Sequence, residues 1–135
     1  MTIQMSTTVR NARLDAIETT VGTAPLLRIY TGSAPADCAT AASGTLLAEM
    51  TLPSDWMNAA SSGQKTRLGT WSDSSANNTG TAGYFRLYDS GGTNCHMQGT
   101  VTATGGGGDL QLDNTSITSG QSVSISTFTL TDGNA

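Results

Sequence analysis

The residues best suited to chemistry in this chain are two cysteines, Cys38 and Cys95, and the single histidine, His96. Cys38 lies in a polar loop, and Cys95 begins an expected strand with its side chain toward the core. The pair predicts either a disulfide that closes a long loop or two separate thiols with Cys95 buried. Synthesis in a reducing cytoplasm disfavours the disulfide, whereas release into an oxidising medium would permit it.

The same residues argue against a catalytic or metal centre. His96 directly follows Cys95 in a strand, so the two side chains point to opposite faces and do not form a nucleophile–base pair. A zinc site needs several His or Cys ligands, and the chain has no CxxC motif. We therefore expect a protein that is not an enzyme, with no catalytic residue, no bound metal and no cofactor.

Three further features of the sequence could form a binding site. They are paired carboxylates, two tryptophans and a run of glycines. Asp109 and Asp113 share one face of a short strand, but their spacing matches no calcium loop and is typical of solvated strand ends. Trp56 and Trp71 could stack on sugars, although so few tryptophans more often lie in a core. The run 105–108 lacks the Lys-Ser/Thr of a phosphate loop and predicts a flexible loop or a close backbone approach.

Composition limits the kinds of partner. The 135 residues carry a formal net charge of -4, with 6 Lys and Arg against 10 Asp and Glu. Nucleic acid is disfavoured as a partner, because phosphate binding needs clustered Lys and Arg. The length predicts one domain with its own core. No apolar run is long enough to span a membrane, and the first residues do not resemble a secretory signal, so we expect synthesis in a cytoplasm and no membrane partner.

Residues 1–22 predict an N-terminal helical arm. Cap-forming Ser and Thr side chains precede apolar residues at helical spacing, and Gly22 is a natural stop, so the helix is expected at 8–20. A helix this short is marginal alone in water, so it either folds back on its own sheet or docks on another subunit. The second alternative gives the first set of candidate contact residues: Arg10, Arg13, Leu14 and Ile17.

Residues 23–135 predict a β domain, because the hydrophobic period changes to two. Strands are expected at 26–30, 45–52, 64–71, 109–113 and 121–131, with a hairpin over 83–103. About seven or eight short strands with turns between them favour an all-β fold, either an antiparallel β-sandwich or a jelly-roll-like barrel, with the helical arm appended.

Two of these strands make finer predictions. In the strand at 64–71, Leu68 is apolar and Lys65 is expected on the opposite side. In the last strand the apolar phase changes between Ile125 and Phe128. A one-residue slip turns a side chain to the other face of a sheet, so the phase change predicts a β-bulge near 126–127.

The predicted hairpin has two unlike faces. Phe85 and Leu87 share the face expected on the core, while Tyr84, Arg86 and Tyr88 share the other. That second face is either ordinary solvated surface or a subunit contact, since Tyr and Arg are favoured at buried interfaces. It supplies the second set of candidate contact residues.

Three stretches of the chain resemble a family of small virion proteins of tailed bacteriophages and prophages. They are STTVRNARLDAIETTVG at 6–22, LRIYTGSAPADCATAASGTLLAEMTLPSDWM at 27–57, and the segment 80–125, which contains CHMQGTVTATGGGGD. The resemblance implies a structural component of the virion, made in the cytoplasm of the bacterial host. It carries no catalytic residues over to this chain.

The resemblance leads us to expect a capsid decoration or cement protein that stabilises the head through contacts between subunits. Its expected partners are the major capsid protein or tail and neck proteins, together with copies of itself. One alternative is a protein of the neck, tail or a fibre. Another is a glycan-binding β-sandwich that uses Trp56 or Trp71.

Overall fold

The computed structural model describes residues 3–135, which form one helix and ten strands. The helix is α1 (Thr7–Val21), and the strands are β1 (Leu26–Thr31), β2 (Leu46–Thr51), β3 (Gln64–Thr66), β4 (Trp71–Asp73), β5 (Gly80–Tyr88), β6 (Cys95–Ala103), β7 (Leu110–Leu112), β8 (Ser116–Ile117), β9 (Val123–Ile125) and β10 (Thr129–Thr131). The prediction of a strand-rich chain with one short N-terminal helix is confirmed. Within residues 3–135, no helix combines the length and the apolar character needed to cross a bilayer.

Local sequence signals set both ends of α1. The Ser6 side chain accepts a hydrogen bond from the backbone N–H of Val9 at 3.3 Å, which satisfies one of the free donors of the first turn. Gly22 ends the helix at a φ of 90°, and its N–H donates to the carbonyl of Glu18. The expected helix at 8–20 is therefore correct to within one residue at each end.

Six strands form the largest sheet, in which β2, β1, β5, β6 and β7 follow one another and β8 pairs with the start of β5. The pairs are antiparallel except for β6 and β7, which run parallel. The β5–β6 pair is the predicted hairpin, with Phe85 opposite Gly99 and Arg86 opposite Gln98.

A glycine-rich turn allows two consecutive strands to run parallel. Between β6 and β7 the chain doubles back over Thr102, and a Cβ on either Gly106 or Gly108 would lie 2.8 Å from atoms of that side chain. Only glycine lets the backbone approach a neighbouring side chain so closely. The close approach, one of the two alternatives predicted for the glycine run, is the one present.

Two expected strands are each broken in two. β3 pairs with β10, and β4 pairs with β9, so the stretches 64–71 and 121–131 contribute to two separate two-stranded ribbons. The predicted bulge near 126–127 is wrong, because the phase change between Ile125 and Phe128 marks the end of one strand and the start of another.

An aromatic cluster joins the ribbons to the large sheet. The Trp71 ring lies 6.0 Å from Trp56 and 5.5 Å from Phe128, and Phe128 meets Phe85 of the large sheet edge-on at 5.9 Å. Such tilted and edge-on pairs are the geometries that aromatic rings prefer. Trp56 is 0% exposed and Trp71 is 1% exposed, so both are core residues.

Candidate functional site

The hairpin face that carries Tyr84, Arg86 and Tyr88 is buried by the chain itself. The exposed fractions are 0% for Tyr84, 1% for Arg86 and 7% for Tyr88. The prediction that this face is solvated surface or a subunit contact is therefore wrong. We call it the covered face, and we call residues 32–44, which lie over it, the cover loop.

Arg86 fastens the cover loop to the sheet. One terminal nitrogen of its guanidinium donates to the carbonyl of Thr40 at 2.7 Å and to that of Asp37 at 3.0 Å. Its Nε donates to Gln98 Oε1 at 3.1 Å, and the Gln98 amide donates to the Pro35 carbonyl at 2.7 Å. Burial of a guanidinium is costly unless its donors are satisfied, and the two backbone carbonyls together with Gln98 accept three of the five N–H donors of Arg86. The network holds the loop in one position.

Tyrosine rings complete the covered face. Tyr30 and Tyr84 stack with their ring centroids 5.0 Å apart and their planes 12° apart. The Arg28 guanidinium lies 4.6 Å from the Tyr88 centroid while its Nε contacts Glu49 at 2.6 Å. Burial and the neighbouring hydroxyl of Tyr88 raise the pKa of Tyr30 to about 12, so Tyr30 is not poised for acid–base chemistry.

The two cysteines meet beneath the cover loop. A register shift between Leu87 and Tyr88 places Cys95 opposite Tyr88, which turns its side chain to the covered face and not to the core side expected from simple alternation. Cys95 Sγ lies 3.0 Å from Cys38 Sγ, and both residues are half-buried. Burial and the Cys38 thiol raise the pKa of Cys95 to about 11, so at neutral pH Cys95 is a thiol and a weak nucleophile.

The first set of candidate contact residues lies on a helix that packs on its own chain. Leu14 is 3% exposed and Ile17 packs against the core. Arg10 Nε donates to the Asp132 carbonyl at 3.0 Å, and Arg13 Nε contacts the Asp132 carboxylate at 3.2 Å. Of the two alternatives for the arm, the helix folded back on its own domain is the one present. Leu14 is therefore excluded as a surface contact.

Lys65 explains why the helix docks where it does. Its Nζ lies 2.7 Å from Asp15 Oδ1 and 2.8 Å from Glu18 Oε2, and it also donates to the Asn58 carbonyl. Burial disfavours the ammonium, but the hydrogen bonds to Asp15 and Glu18 outweigh burial and raise the pKa of Lys65. Lys65, expected on the side of its strand opposite the apolar Leu68, is the more deeply buried of the two, with only 2% of its surface exposed.

Of the two aspartates predicted to end a strand in solvent, Asp109 bonds the backbone and Asp113 is exposed. Asp109 accepts hydrogen bonds from the Thr100 N–H at 2.8 Å and the Thr100 hydroxyl at 2.9 Å, which lower its pKa. Asp113 is exposed at the end of β7. In residues 3–135, no group of three or more His, Cys, Asp and Glu side chains is arranged to hold a metal ion.

The sequence contains one signal for the covered face and one for the docking of α1 on Lys65. β5 carries aromatic or aliphatic residues in both phases, Tyr84 and Tyr88 in one and Phe85 and Leu87 in the other, as a strand covered on both sides does. Asp15 and Glu18 stand three positions apart and so share one helix face, which favours a cationic partner.

Comparison with known proteins finds no matching family model, no significantly similar curated protein and no significantly similar solved structure.

Proposed function

We propose that this chain is a structural protein of a tailed-bacteriophage virion, where it acts as a capsid decoration or cement protein. The proposal rests on the sequence resemblance described above and on how the chain uses its charged groups. We also propose that the fold is a β-sandwich, in which the large sheet packs against the two ribbons.

The internal use of every basic side chain is the observation that carries the proposal. The bonds run from Arg10 and Arg13 to Asp132, from Arg28 to Glu49, from Lys65 to Asp15 and Glu18, from Arg67 to the Ser126 carbonyl, and from Arg86 to the carbonyls of Asp37 and Thr40. These groups hold the helix, the loop and the ribbons on the sheet. Such use favours a rigid building block over a protein whose charges bind or transform a ligand.

The proposed contact surface is the outward face of α1. Val9 is 46% exposed, the Arg13 side chain is 52% exposed, and Ala12 and Ala16 lie beside them on the surface. In this proposal the outward helix face meets a neighbouring capsid subunit. Leu14 and the covered face of the sheet are buried and do not take part in that contact. Arg10 stays at the edge of this surface, because it is half-buried against the C-terminal strand.

Symmetry supplies the strength of attachment in this proposal. A small apolar helix face gives a weak contact by itself, but a particle presents the same site many times. Several tethered contacts per assembly raise the overall avidity without any new interaction. The domain therefore needs rigidity more than a deep binding pocket.

Heat stability of the particles tests the proposal. Particles grown without the gene should lose infectivity or DNA at a lower temperature than complete particles, and adding the purified protein back should restore their stability. A Val9→Glu/Ala16→Glu variant, which places two charges on the outward helix face, should fail to restore it. A Thr118→Glu/Ser122→Glu variant carries the same added charge at two exposed positions near β8 and β9 and should restore it.

The proposal fails if particles without the protein are as heat-stable as complete ones and the purified protein does not bind them. Equal rescue by both double variants would overturn the helix face as the contact surface. Attachment only at the neck, tail or fibres, seen by electron microscopy, would move the protein to the alternative position in the virion. The glycan-binding alternative loses its proposed residues, since Trp56 and Trp71 are buried in the core.

A further inference from the structure

We propose that Cys38 and Cys95 form an oxidation site, at which a small-molecule disulfide converts the two thiols into an intramolecular bond that fastens the cover loop to β6. The two Sγ atoms lie 3.0 Å apart, although the residues stand far apart in the sequence. The inference does not depend on the proposed virion function, because it follows from the geometry of one chain.

Two separate features of the fold bring the thiols together before any bond forms. The register shift between Leu87 and Tyr88 turns Cys95 toward the cover loop. The cover loop is held on both sides of Cys38, because the carbonyl of Pro35 accepts from Gln98 and that of Thr40 accepts from Arg86. The loop therefore loses little further freedom when the bond forms, so the intramolecular product is favoured over a bond between two chains.

The reaction is a balanced thiol–disulfide exchange. The Cys38 thiolate attacks one sulfur of glutathione disulfide and releases one glutathione thiolate, which leaves a mixed disulfide on Cys38. Cys95 then loses its proton and attacks the Cys38 sulfur, which releases the second glutathione. The protein loses two electrons and two thiol protons, and glutathione disulfide gains them as two thiols.

The environment of Cys95 slows its part in the reaction. Burial and the Cys38 thiol raise the pKa of Cys95 to about 11, so little of Cys95 is thiolate at neutral pH. The nearby Arg86 guanidinium partly offsets this effect by stabilising the thiolate. The formation of the bond should therefore accelerate as the pH is raised from about 7 to about 9.

The bond would change how firmly the loop is held in different surroundings. In a reducing cytoplasm the cover loop is held by hydrogen bonds with Arg86, Gln98 and Tyr84 and by no covalent link to β6. In an oxidising medium the disulfide adds a covalent link across the covered face. Cross-linking two distant positions also restricts the unfolded chain, which raises the thermal stability of the protein.

Mass spectrometry and thermal unfolding of the full chain test this inference. After incubation with glutathione disulfide, the intact protein should lose the mass of two hydrogens, resist alkylation by iodoacetamide, and yield a linked Cys38–Cys95 peptide on digestion without reductant. The melting temperature of the oxidised protein should exceed that of the reduced protein by about 10 °C. Cys38→Ser and Cys95→Ser variants should show no shift between the two conditions.

Three results would overturn the inference. They are two thiols that remain open to alkylation after oxidation, a linked peptide that joins two different chains, and a glutathione adduct that persists on Cys38 without closing. If the serine variants do not fold, the melting temperatures of oxidised and reduced wild-type protein test the inference without them. Equal melting temperatures of those two forms would contradict the predicted stabilisation.

Discussion

Lys65 Nζ of β3 lies 2.7 Å from Asp15 Oδ1 of the N-terminal helix. The lysine is buried, and Glu18 supplies a second carboxylate to it at 2.8 Å. The contact joins α1, the first element of the chain, to β3, a ribbon strand that lies much later in the sequence. It explains why the helix is a fixed part of the β domain, because moving the helix away would take both carboxylates from the Lys65 ammonium and leave it only the Asn58 carbonyl.

Removing both carboxylates should therefore destabilise the protein. We expect the double variant Asp15→Asn/Glu18→Gln to lower the free energy of unfolding by about 3 kcal/mol, since the Lys65 ammonium loses both its charge partners. Urea denaturation followed by circular dichroism measures the effect. Asp113→Asn, a change of the same kind at an exposed position, should alter stability by less than about 0.5 kcal/mol. Equal effects of the two changes would contradict the role of the ion pairs.

Arg86 should control the order of the cover loop. Arg86→Met keeps much of the side-chain volume but leaves the carbonyls of Asp37 and Thr40 without their donor, so we expect a loss of about 3 kcal/mol. Amide hydrogen exchange should become faster in residues 37–43 than elsewhere in the chain. The change Arg13→Met also removes a guanidinium, but one whose side chain is half-exposed beside the Asp132 carboxylate, so it should cost less than Arg86→Met and leave exchange in residues 37–43 unchanged. Unchanged exchange in the loop would refute this role of Arg86.

Much of the local structure follows from the sequence, while the long-range packing does not. The helix and the hairpin are predicted because their signals lie within a few residues: the Ser6 cap, the Gly22 stop and the alternating strands on either side of a polar turn. The break of each expected long strand into two ribbon strands depends on pairing with distant partners. No local signal fixes that pairing.

For the covered face, too, the sequence predicts the local pattern and not the long-range packing. Alternation along β5 correctly groups Tyr84, Arg86 and Tyr88 on one face. Alternation says nothing about what lies over that face, and the cover loop is rich in small Ala, Ser and Gly residues, as ordinary surface loops are. The Cys95 side chain is predicted on the wrong face of β6, because one register shift at the end of the hairpin turns it to the opposite face.

Gly83 should tolerate no side chain. A Cβ at this position would fall on the backbone carbonyl of Gly32, where the cover loop leaves β1. Backbone atoms cannot move aside as a flexible side chain can, so we expect Gly83→Ala to cost about 3 kcal/mol. Gly133→Ala is the control, because a Cβ there meets nothing within 4 Å. A melting temperature of Gly83→Ala equal to that of the control would show that the loop and the sheet are not in this close contact.

Asp109 should make stability depend on pH in the acid range. Hydrogen bonds from the Thr100 N–H and hydroxyl lower the pKa of this carboxyl below its ordinary value of 3.8. A group with a lowered pKa in the folded state stabilises it above the unfolded pKa, and that contribution disappears as the pH falls through the folded pKa. The cost of Asp109→Asn should therefore be largest at pH 7 and shrink from about pH 4 to about pH 2.

Urea unfolding of wild type and Asp109→Asn at several pH values measures this difference. An NMR titration of the Asp109 carboxyl carbon gives the folded pKa directly. A cost of the substitution that stays constant from neutral to acid pH, together with a carboxyl that titrates at its ordinary value, would contradict the assigned hydrogen bonds.

The central claim is that the chain is a repeated structural part of a phage particle, and its copy number in purified particles tests that claim most directly. Quantitative mass spectrometry against the major capsid protein should find the chain in the particle at hundreds of copies, as a decoration protein requires. Small multiples of three, five or six would place it on the neck, tail or fibres. Complete absence from purified particles would contradict the claim.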